Sequence, residues 1–292
     1  MATALQSDKG TSFSGIIPMK KGANFPDLSS PVVMGILNVT PDSFFDGGKY
    51  VSEKAVLQRV EEMLDEGAAI IDIGGSSTRP GAAKVSRDEE WKRIGPLLIA
   101  VRKNFGDACL SVDTYYSLLA ERALDLGADM INDISGGTFD PGMPVLIGKR
   151  NVPYVIMHIQ GKPGNMQQDP QYEDVVEDIA SYFEERINTF TQHGANRLIL
   201  DPGFGFGKTL AHNYALLNKL ERFKAFAYPV LAGISRKSMI DRVIGGSPAD
   251  ALNGTSVLNT IALLNGANIL RVHDVREAVE AVKLVGSVKS DI

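Results

Sequence analysis

Short apolar runs alternate with longer amphipathic stretches along most of the chain. Glycine–alanine pairs beginning at Gly67, Gly127, Gly194 and Gly266 each follow a helix-like stretch and precede an apolar run. Glycine at such a position commonly ends a helix in the left-handed conformation. The intervals of 60, 67 and 72 residues are about twice the length of one strand–helix unit, so each should contain one further strand.

The intervals do contain such runs, and the total is eight. Examples of the apolar runs are 32–37, 109–112, 154–157, 197–200 and 229–232. Helical stretches at 53–66, 86–104, 172–193 and 274–287 separate some of them. Short β-rich runs that alternate with helices are typical of a parallel sheet covered by helices.

The length of this repeating region predicts a closed barrel. From Pro31 to Val285 the chain has 255 residues, close to the ~250 of a typical (β/α)8 TIM barrel. We therefore predict an α/β fold with one barrel domain at 31–292 and a loosely ordered leader at 1–30. An open, doubly wound sheet is the alternative, but it would normally show a dinucleotide fingerprint after its first strand, and the sequence has none.

Composition narrows the classes of partner. The net charge of -5 provides no sequence-wide field for nucleic acid or an acidic membrane surface. The leader has no apolar run long enough for a signal peptide or a membrane span. Cys109 is the single cysteine, which excludes an intrachain disulfide and a thiolate metal cluster and suits a reducing cytoplasm.

Nearly every predicted strand ends in polar residues. Any one of them could be a helix cap or a hydrogen bond at the barrel rim. Burying such groups unpaired costs ~1–3 kcal/mol each, and barrel active sites lie at the carboxyl ends of the strands, so together they indicate a site. The residues are Asn38, Asp72, Asp113, Asn132, Asp133, His158, Asp201, Lys237, Arg271 and His273.

The residue types indicate the ligand. Buried Asp and Asn can present acceptors and donors to the edge of a nitrogen heterocycle. Arg271, His273, Lys237 and two glycine-rich strand-end loops can bind a phosphorylated anion. Asn38 could hold a Mg²⁺ that keeps most of its waters and bridges a diphosphate, although a structural loop role is nearly as well supported.

Two other motifs do not support a site. Gly207-Lys208-Thr209 resembles the end of a nucleotide P-loop, but Pro202 occupies the required preceding glycine position. The four histidines have no metal-ligand spacing among themselves, so a zinc site has no support.

Five stretches resemble dihydropteroate synthases in sequence, order and spacing. The resemblance runs from about Pro31 to Val285, and its most specific parts are 35–44, 74–81, 111–114, 201–208 and 235–238. This family joins 7,8-dihydropterin-6-ylmethyl diphosphate to 4-aminobenzoate, which releases diphosphate and gives dihydropteroate, the folate precursor. The family resemblance also implies a homodimer formed through the outer helices.

The resemblance implies a role for each matching residue. Asp113, Lys237 and Arg271 would be catalytic. Asn38 would bind Mg²⁺, and Arg271 and His273 would hold the diphosphate. The pterin would be held by Asp113, Asn132, Asp201 and Lys237, with Thr78 and Arg79 on a mobile loop, and the aminobenzoate would be bordered by Phe206, Lys237 and Ser238. Phe45, Ile159 and Lys162 differ from the residues that are usual in the family. These differences leave loop closure, the aminobenzoate subsite and sulfonamide sensitivity open.

The chemistry of these substrates agrees with that assignment. An arylamine is a weak nucleophile, so we expect C–O cleavage to run ahead of amine attack while Mg²⁺ and cations absorb the charge of the diphosphate. Asp113 would stabilise the resulting cation. The aminobenzoate carboxylate would lie at the helix start near 235–238, and loops 39–48 and 75–84 would close over the site to exclude water.

Two rival functions use a similar barrel. A pterin-binding enzyme that transfers a methyl group from a methylated folate to a corrinoid has no use for the loop sequences around Asn38 and Thr78. A catalytically silent pterin-binding partner protein would be signalled by loss of Asn38, Asp113 or Arg271, and all three are present.

Overall fold

A computed structural model of the chain describes residues 24–39, 52–76 and 85–290. Within these residues eight parallel strands form a barrel with helices around it, as predicted. The strands are β1 (Val32–Asn38), β2 (Ile70–Gly74), β3 (Leu110–Asp113), β4 (Met130–Asp133), β5 (Tyr154–Met157), β6 (Leu198–Asp201), β7 (Leu231–Ala232) and β8 (Ile269–Val272).

The strands are hydrogen-bonded in the order β6-β5-β4-β3-β2-β1-β8-β7. Consecutive strands are therefore neighbours, as repeated strand–helix units require. The last gap, between β6 and β7, is spanned by a parallel bridge between Leu200 and Val230. The Leu200 N–H also donates to the Pro229 carbonyl at 2.9 Å, so the barrel is nearly closed.

The helices lie where the amphipathic stretches predict them, with ends shifted by up to three residues. The glycines at 67, 127, 194 and 266 all have positive φ, between 93° and 100°, which confirms them as helix stops. Between β7 and β8 there are two helices instead of one. The helices are α1 (Glu53–Asp65), α2 (Arg87–Asn104), α3 (Ser117–Asp125), α4 (Gly142–Arg150), α5 (Val175–Gln192), α6 (Leu210–Asn218), a 3-10 helix (Leu220–Phe226), α7 (Ser238–Ile244), α8 (Leu252–Leu264) and α9 (Val275–Ser290).

In the described part of the chain, no helix combines the length and the apolar character needed to cross a membrane.

The interior of the barrel is layered because side chains alternate between the two faces of each strand. Its lower layer is an apolar floor to which every strand contributes: Met34, Ile70, Cys109, Met130, Val155, Ile199, Leu231 and Ile269. Two residues further along, five of the eight strands have a polar residue on the same inward face. That upper layer includes Asp72, Ser111, Asn132, Asp201 and Arg271.

The end of the predicted leader belongs to the barrel. Phe25 and Leu28 are buried against the apolar floor, and the Arg197 guanidinium lies 5.5 Å from the centroid of the Phe25 ring. Asn24 donates a hydrogen bond to Asp129 at 3.3 Å. Residues 24–30, the last part of the predicted leader, therefore pack against the bottom of the barrel. Residues 1–23 lie outside the described residues.

Candidate active site

An ion-pair network crosses the polar layer. The carboxylate of Asp72 accepts from Arg271 Nε at 2.7 Å and from Asn132 Nδ2 at 3.0 Å. Arg271 Nη2 donates to Asp113 at 2.8 Å. One arginine thus links two carboxylates from β2 and β3, and Asp72 also sets the direction of the Asn132 amide.

Burial controls the ionisation of this network. It raises the pKa of Asp113 to about 7, and the charges of Asp72, Glu90 and Asp133 add to that effect while Arg271 opposes it. For Arg271, burial acts to lower the pKa, but the carboxylates of Asp72 and Asp113 outweigh it and raise the pKa above its ordinary value. The arginine therefore stays cationic, and the 2.8 Å contact favours the ionised form of Asp113.

A second charged pair lies at the ends of β6 and β7. Lys237 donates to the Phe204 carbonyl, and its ammonium lies 4.6 Å from the centroid of the Phe206 ring. Asp201 accepts from the Gly203 N–H at 2.7 Å. Burial raises the pKa of Asp201, with Lys237 opposing, and burial lowers the pKa of Lys237 to about 8, with Asp201 opposing.

Members of both groups line one narrow cavity at the strand ends. It brings together six of the predicted site residues: Asp113, Asn132, Asp201, Phe206, Lys237 and Arg271. Ile134 and Met157 supply apolar walls. Gly233 keeps the centre open, because a Cβ there would lie 3.9–4.0 Å from Lys237 Nζ, Arg271 Cβ and Asp201 Oδ2. A flat, polar-edged ring is the kind of ligand that such a slot accepts.

Asn38 lies at the rim of this cavity. It pairs with Gly74 across β1 and β2, and a Cβ at Gly74 would lie 3.5 Å from Asn38 Oδ1 and 3.7 Å from Asp113 Oδ2. The amide oxygen of Asn38 and the carboxylate of Asp113 are therefore no more than about 7 Å apart. Thr78, Arg79 and Phe45, and most of the two predicted closing loops, lie outside the described residues.

His273 and Ser238 lie beyond the cavity lining. His273 N donates to Ser235 Oγ at 3.2 Å, and its ring Nδ1 is 3.1 Å from the same oxygen. Ser238 is exposed at the first turn of α7, which has only seven residues. Their predicted contacts with diphosphate and aminobenzoate stay predictions.

A salt bridge holds the β7 and β8 loops together above the cavity. Arg236 has a left-handed φ of 55°, which is uncommon for a residue with a side chain. Its guanidinium makes two hydrogen bonds to Asp274, at 2.9 and 2.7 Å, and one to the Pro248 carbonyl at 3.0 Å. This contact fixes Lys237 on one loop relative to His273 on the other.

The sequence interpretation missed functional neighbours of this site. Asp72 was recognised as a strand-end residue but not as a site residue; its signal was a charge inside the apolar strand Ile70–Gly74. Lys208, which was considered only as part of a P-loop, is buried beside His158, with 3.0 Å between Nζ and Nδ1. Neither pairing has a spacing signal, because the partners are 199 and 50 residues apart.

A second, larger groove lies on the outside of the barrel between α5 and the 3-10 helix. Glu177, Glu184, Arg222 and Phe226 are among its lining residues. It is far from the strand ends, and Arg222 already pairs with Glu177 at 2.9 Å. We therefore take the cavity in the barrel as the candidate active site.

Comparison with known proteins gives consistent matches. The family of pterin binding enzymes matches residues 34–273. The dihydropteroate synthase of Escherichia coli (strain K12) is 46% identical over 261 residues, which is 89% of this chain and 92% of that protein. The Haemophilus influenzae dihydropteroate synthase is 46% identical over 260 residues, 88% of this chain and 94% of that protein.

Solved structures agree over the same extent. The Yersinia pestis dihydropteroate synthase with a sulfonamide drug complex has a TM-score of 0.85 and 46% identity, covering 91% of this chain and 96% of that one. The Xanthomonas albilineans dihydropteroate synthase in complex with 7,8-dihydropteroate has a TM-score of 0.82 and 36% identity, with coverage of 91% and 96%.

Proposed function

Since the chain belongs to the dihydropteroate synthase family of pterin binding enzymes, we propose that its barrel cavity condenses 7,8-dihydropterin-6-ylmethyl diphosphate with 4-aminobenzoate. The chain is a transferase of folate synthesis and a member of a family that sulfonamides target. The observation that carries the assignment is the shared cavity of Asp113, Asn132, Asp201, Lys237 and Arg271. The two rival functions are methyl transfer to a corrinoid and a catalytically silent partner protein. Neither accounts for the matched relatives or for the intact set of polar residues.

The direct test is to supply both substrates with Mg²⁺ and to follow the products by mass. We expect dihydropteroate and diphosphate in equal amounts. A methyl group transferred from a methylated folate, or no product with a folded enzyme that binds pterin, would support one of the rivals instead.

The pterin ring is recognised by the buried polar layer. Asp201 and Asn132 approach the cavity from different strands, so they can accept and donate along the heterocycle edge. The Lys237 ammonium, held by the Phe204 carbonyl and the Phe206 ring, supplies a donor to ring acceptors. Binding desolvates these charges further, which strengthens each contact.

Departure of the diphosphate leaving group is the central step of the proposed reaction. The methylene C–O bond breaks with its electron pair going to the diphosphate, and the aminobenzoate nitrogen then forms the C–N bond and loses a proton. The carboxylate of Asp113, which lines the cavity, would stabilise positive charge on the pterin methylene. Among the described residues, Arg271 donates to its two carboxylates through Nε and Nη2, so its Nη1 could donate to the departing diphosphate.

The residues around Asn38 fit a magnesium ion that is held mainly by water and diphosphate. The described residues contain no group of three or more His, Cys, Asp or Glu able to hold a metal. The amide oxygen of Asn38 would provide one ligand, which suits Mg²⁺ bound through few protein atoms and substrate phosphates. When bound, Mg²⁺ would neutralise charge on the diphosphate and so aid its departure.

We expect activity to disappear in excess chelator and to return with added Mg²⁺. Asn38→Ala should raise the Mg²⁺ concentration for half-maximal rate by at least about tenfold, because a direct ligand is lost. Asn188→Ala, an exposed amide on α5, is the matched control and should leave the Mg²⁺ titration unchanged. Undiminished activity in excess chelator would remove Asn38 from the mechanism.

We further propose that the enzyme is a homodimer formed through α7, α8 and α9. The Lys289 ammonium donates to the Leu263 carbonyl at 2.9 Å, so α9 and α8 end side by side, and Gly254 of α8 is in close contact with Ile240 of α7. Exposed apolar side chains on these three helices are Val243, Ile244, Val257, Ile261, Leu264, Leu284 and Val288. Such a patch favours association with a second copy.

Sedimentation equilibrium tests this interface. We expect a dimer for the wild type and a shift to monomer for the double variant Val257→Glu, Leu284→Glu, since buried unpaired carboxylates oppose association. Ile99→Glu, at a similarly exposed apolar residue on α2, should remain dimeric. A wild-type monomer at micromolar concentration would contradict the proposal.

We also propose a cytoplasmic location, on the single cysteine and the folate chemistry.

A further inference from the structure

Lys208 is a buried amine with three acceptors around it. Its Nζ lies 3.0 Å from His158 Nδ1, 2.9 Å from the Phe206 carbonyl and 3.4 Å from the His158 carbonyl. Only 3% of the residue is exposed. Burying an amine is costly unless every N–H donor has an acceptor. The burial of Lys208 therefore calls for a structural or functional explanation.

The contacts of Lys208 join two loops that touch along their backbones. One follows β5 at 158–172 and the other follows β6 at 202–209. A Cβ at Gly203, where φ is 70°, would lie 2.0 Å from the His158 carbonyl oxygen, and one at Gly207, where φ is 62°, would lie 2.5 Å from that of Gln160. Tyr172 donates to the Gly207 carbonyl at 2.8 Å. Lys208 is buried within this contact and links the two loops through its hydrogen bonds to His158.

The β6 loop that Lys208 holds also contacts the pterin site. Its Phe204 carbonyl accepts from Lys237, its Phe206 ring lies under the Lys237 ammonium, and its Gly203 N–H donates to Asp201. The position of this loop therefore sets both members of the Asp201–Lys237 pair. Lys208 itself does not line the cavity.

We propose that Lys208 is a positioning residue for pterin binding, which ties the β6 loop to His158 and so fixes the groups that orient Lys237 and Asp201. This rests on the synthase activity proposed above. Burial lowers the pKa of Lys208 well below its ordinary value, with Asp201 opposing, but only the ammonium form has three N–H donors for the three acceptors. In that form Lys208 donates to His158 Nδ1, so His158 is neutral with its proton on Nε2. The rings of Tyr182 and His158 pack in a T-shaped arrangement with 4.9 Å between their centroids, which further encloses His158.

The charge of Lys208 also acts on Asp201. The cations that face this carboxylate are Lys237 from the β7 loop, Arg271 from β8 and Lys208 from its own loop, and each lowers the pKa of Asp201 against the effect of burial. Loss of Lys208 should therefore make Asp201 harder to ionise. A role confined to stability would not change the titration of the pterin site.

The test compares Lys208→Met with Lys149→Met, an exposed lysine of α4. For Lys208→Met we expect the calorimetric Kd and the KM for the pterin diphosphate to rise roughly 10- to 100-fold, as for other misplaced site groups. The aminobenzoate KM should change less than about twofold, and the acid limb of kcat/KM for the pterin should move to higher pH. Lys149→Met should match the wild type in all three.

A folded Lys208→Met enzyme with an unchanged pterin KM and pH profile would overturn the proposal. Should that variant fail to fold, nitrogen NMR of wild-type His158 decides. We expect an unprotonated Nδ1 and a protonated Nε2 from pH 5 to 9, because burial and Lys208 lower the pKa of His158 to about 2. A proton on Nδ1, or titration in that range, would contradict it. Wild-type enzyme that makes no dihydropteroate would instead reject the proposed function and leave this contact testable.

Discussion

Replacing Asp201 with alanine should weaken binding of the pterin diphosphate by about 2–4 kcal/mol, roughly 30- to 1,000-fold. The physical reason is double: the pterin loses an acceptor, and the buried Lys237 ammonium loses the carboxylate that opposes its desolvation. Asp201→Asn keeps the shape and one acceptor but removes the charge. Its affinity for the pterin diphosphate should therefore lie between those of the wild type and Asp201→Ala. The measurement is the Kd for the pterin diphosphate by calorimetry.

The matched control for this substitution is Asp65→Ala. Asp65 is exposed at the end of α1, so its loss should leave the pterin Kd unchanged. Both variants should release the same diphosphate per dihydropteroate formed. Diphosphate release at the wild-type rate by Asp201→Ala, at low substrate concentration, would reject this residue as the pterin anchor.

Arg271→Met should be the most damaging single change in the site. It leaves Asp72, which is completely buried, and Asp113 without their shared cation. Breaking a buried ion pair on one side costs about 3–5 kcal/mol of stability. The same change removes the donor for the leaving group, so we expect kcat/KM to fall at least ~10³-fold. Urea unfolding and steady-state rates measure the two effects separately.

A double variant separates the charge of Arg271 from its chemistry. Asp72→Asn combined with Arg271→Met removes the uncompensated carboxylate, so part of the lost stability should return while the rate stays low. Arg276→Met, an arginine of α9 whose side chain is 69% exposed, should alter neither quantity. A folded Arg271→Met enzyme within tenfold of the wild-type rate would contradict the assignment.

The barrel was predictable because its signals are local. Glycine stops such as Gly67 and Gly194 need only their own backbone geometry, and the apolar strands between them are continuous in sequence. The polar strand ends likewise pointed to one rim. The pair of helices α7 and α8 was not predicted, and neither was the buried role of Phe25, since each depends on packing between segments distant in the chain.

The site was only partly predictable for the same reason. Asp113, Asn132, Asp201, Lys237 and Arg271 were found through their positions at strand ends and through family resemblance. Asp72 was not assigned, because its partners are decided by which side chains share a layer of the closed barrel. Lys208 is a clearer case: the sequence places it beside a glycine-rich motif, but two of its three hydrogen-bond acceptors belong to His158, which lies 50 residues earlier.

The polar layer above the apolar floor has a thermodynamic consequence for the empty enzyme. Asp72, Asp113, Asp201 and Arg271 occupy a depth at which an ordinary barrel would pack aliphatic side chains, so the ligand-free protein carries electrostatic frustration in its own centre. A ring that hydrogen-bonds to these groups relieves it. Pterin compounds should therefore raise the thermal denaturation temperature of the protein. Replacing the charged residues to increase thermal stability would weaken pterin recognition.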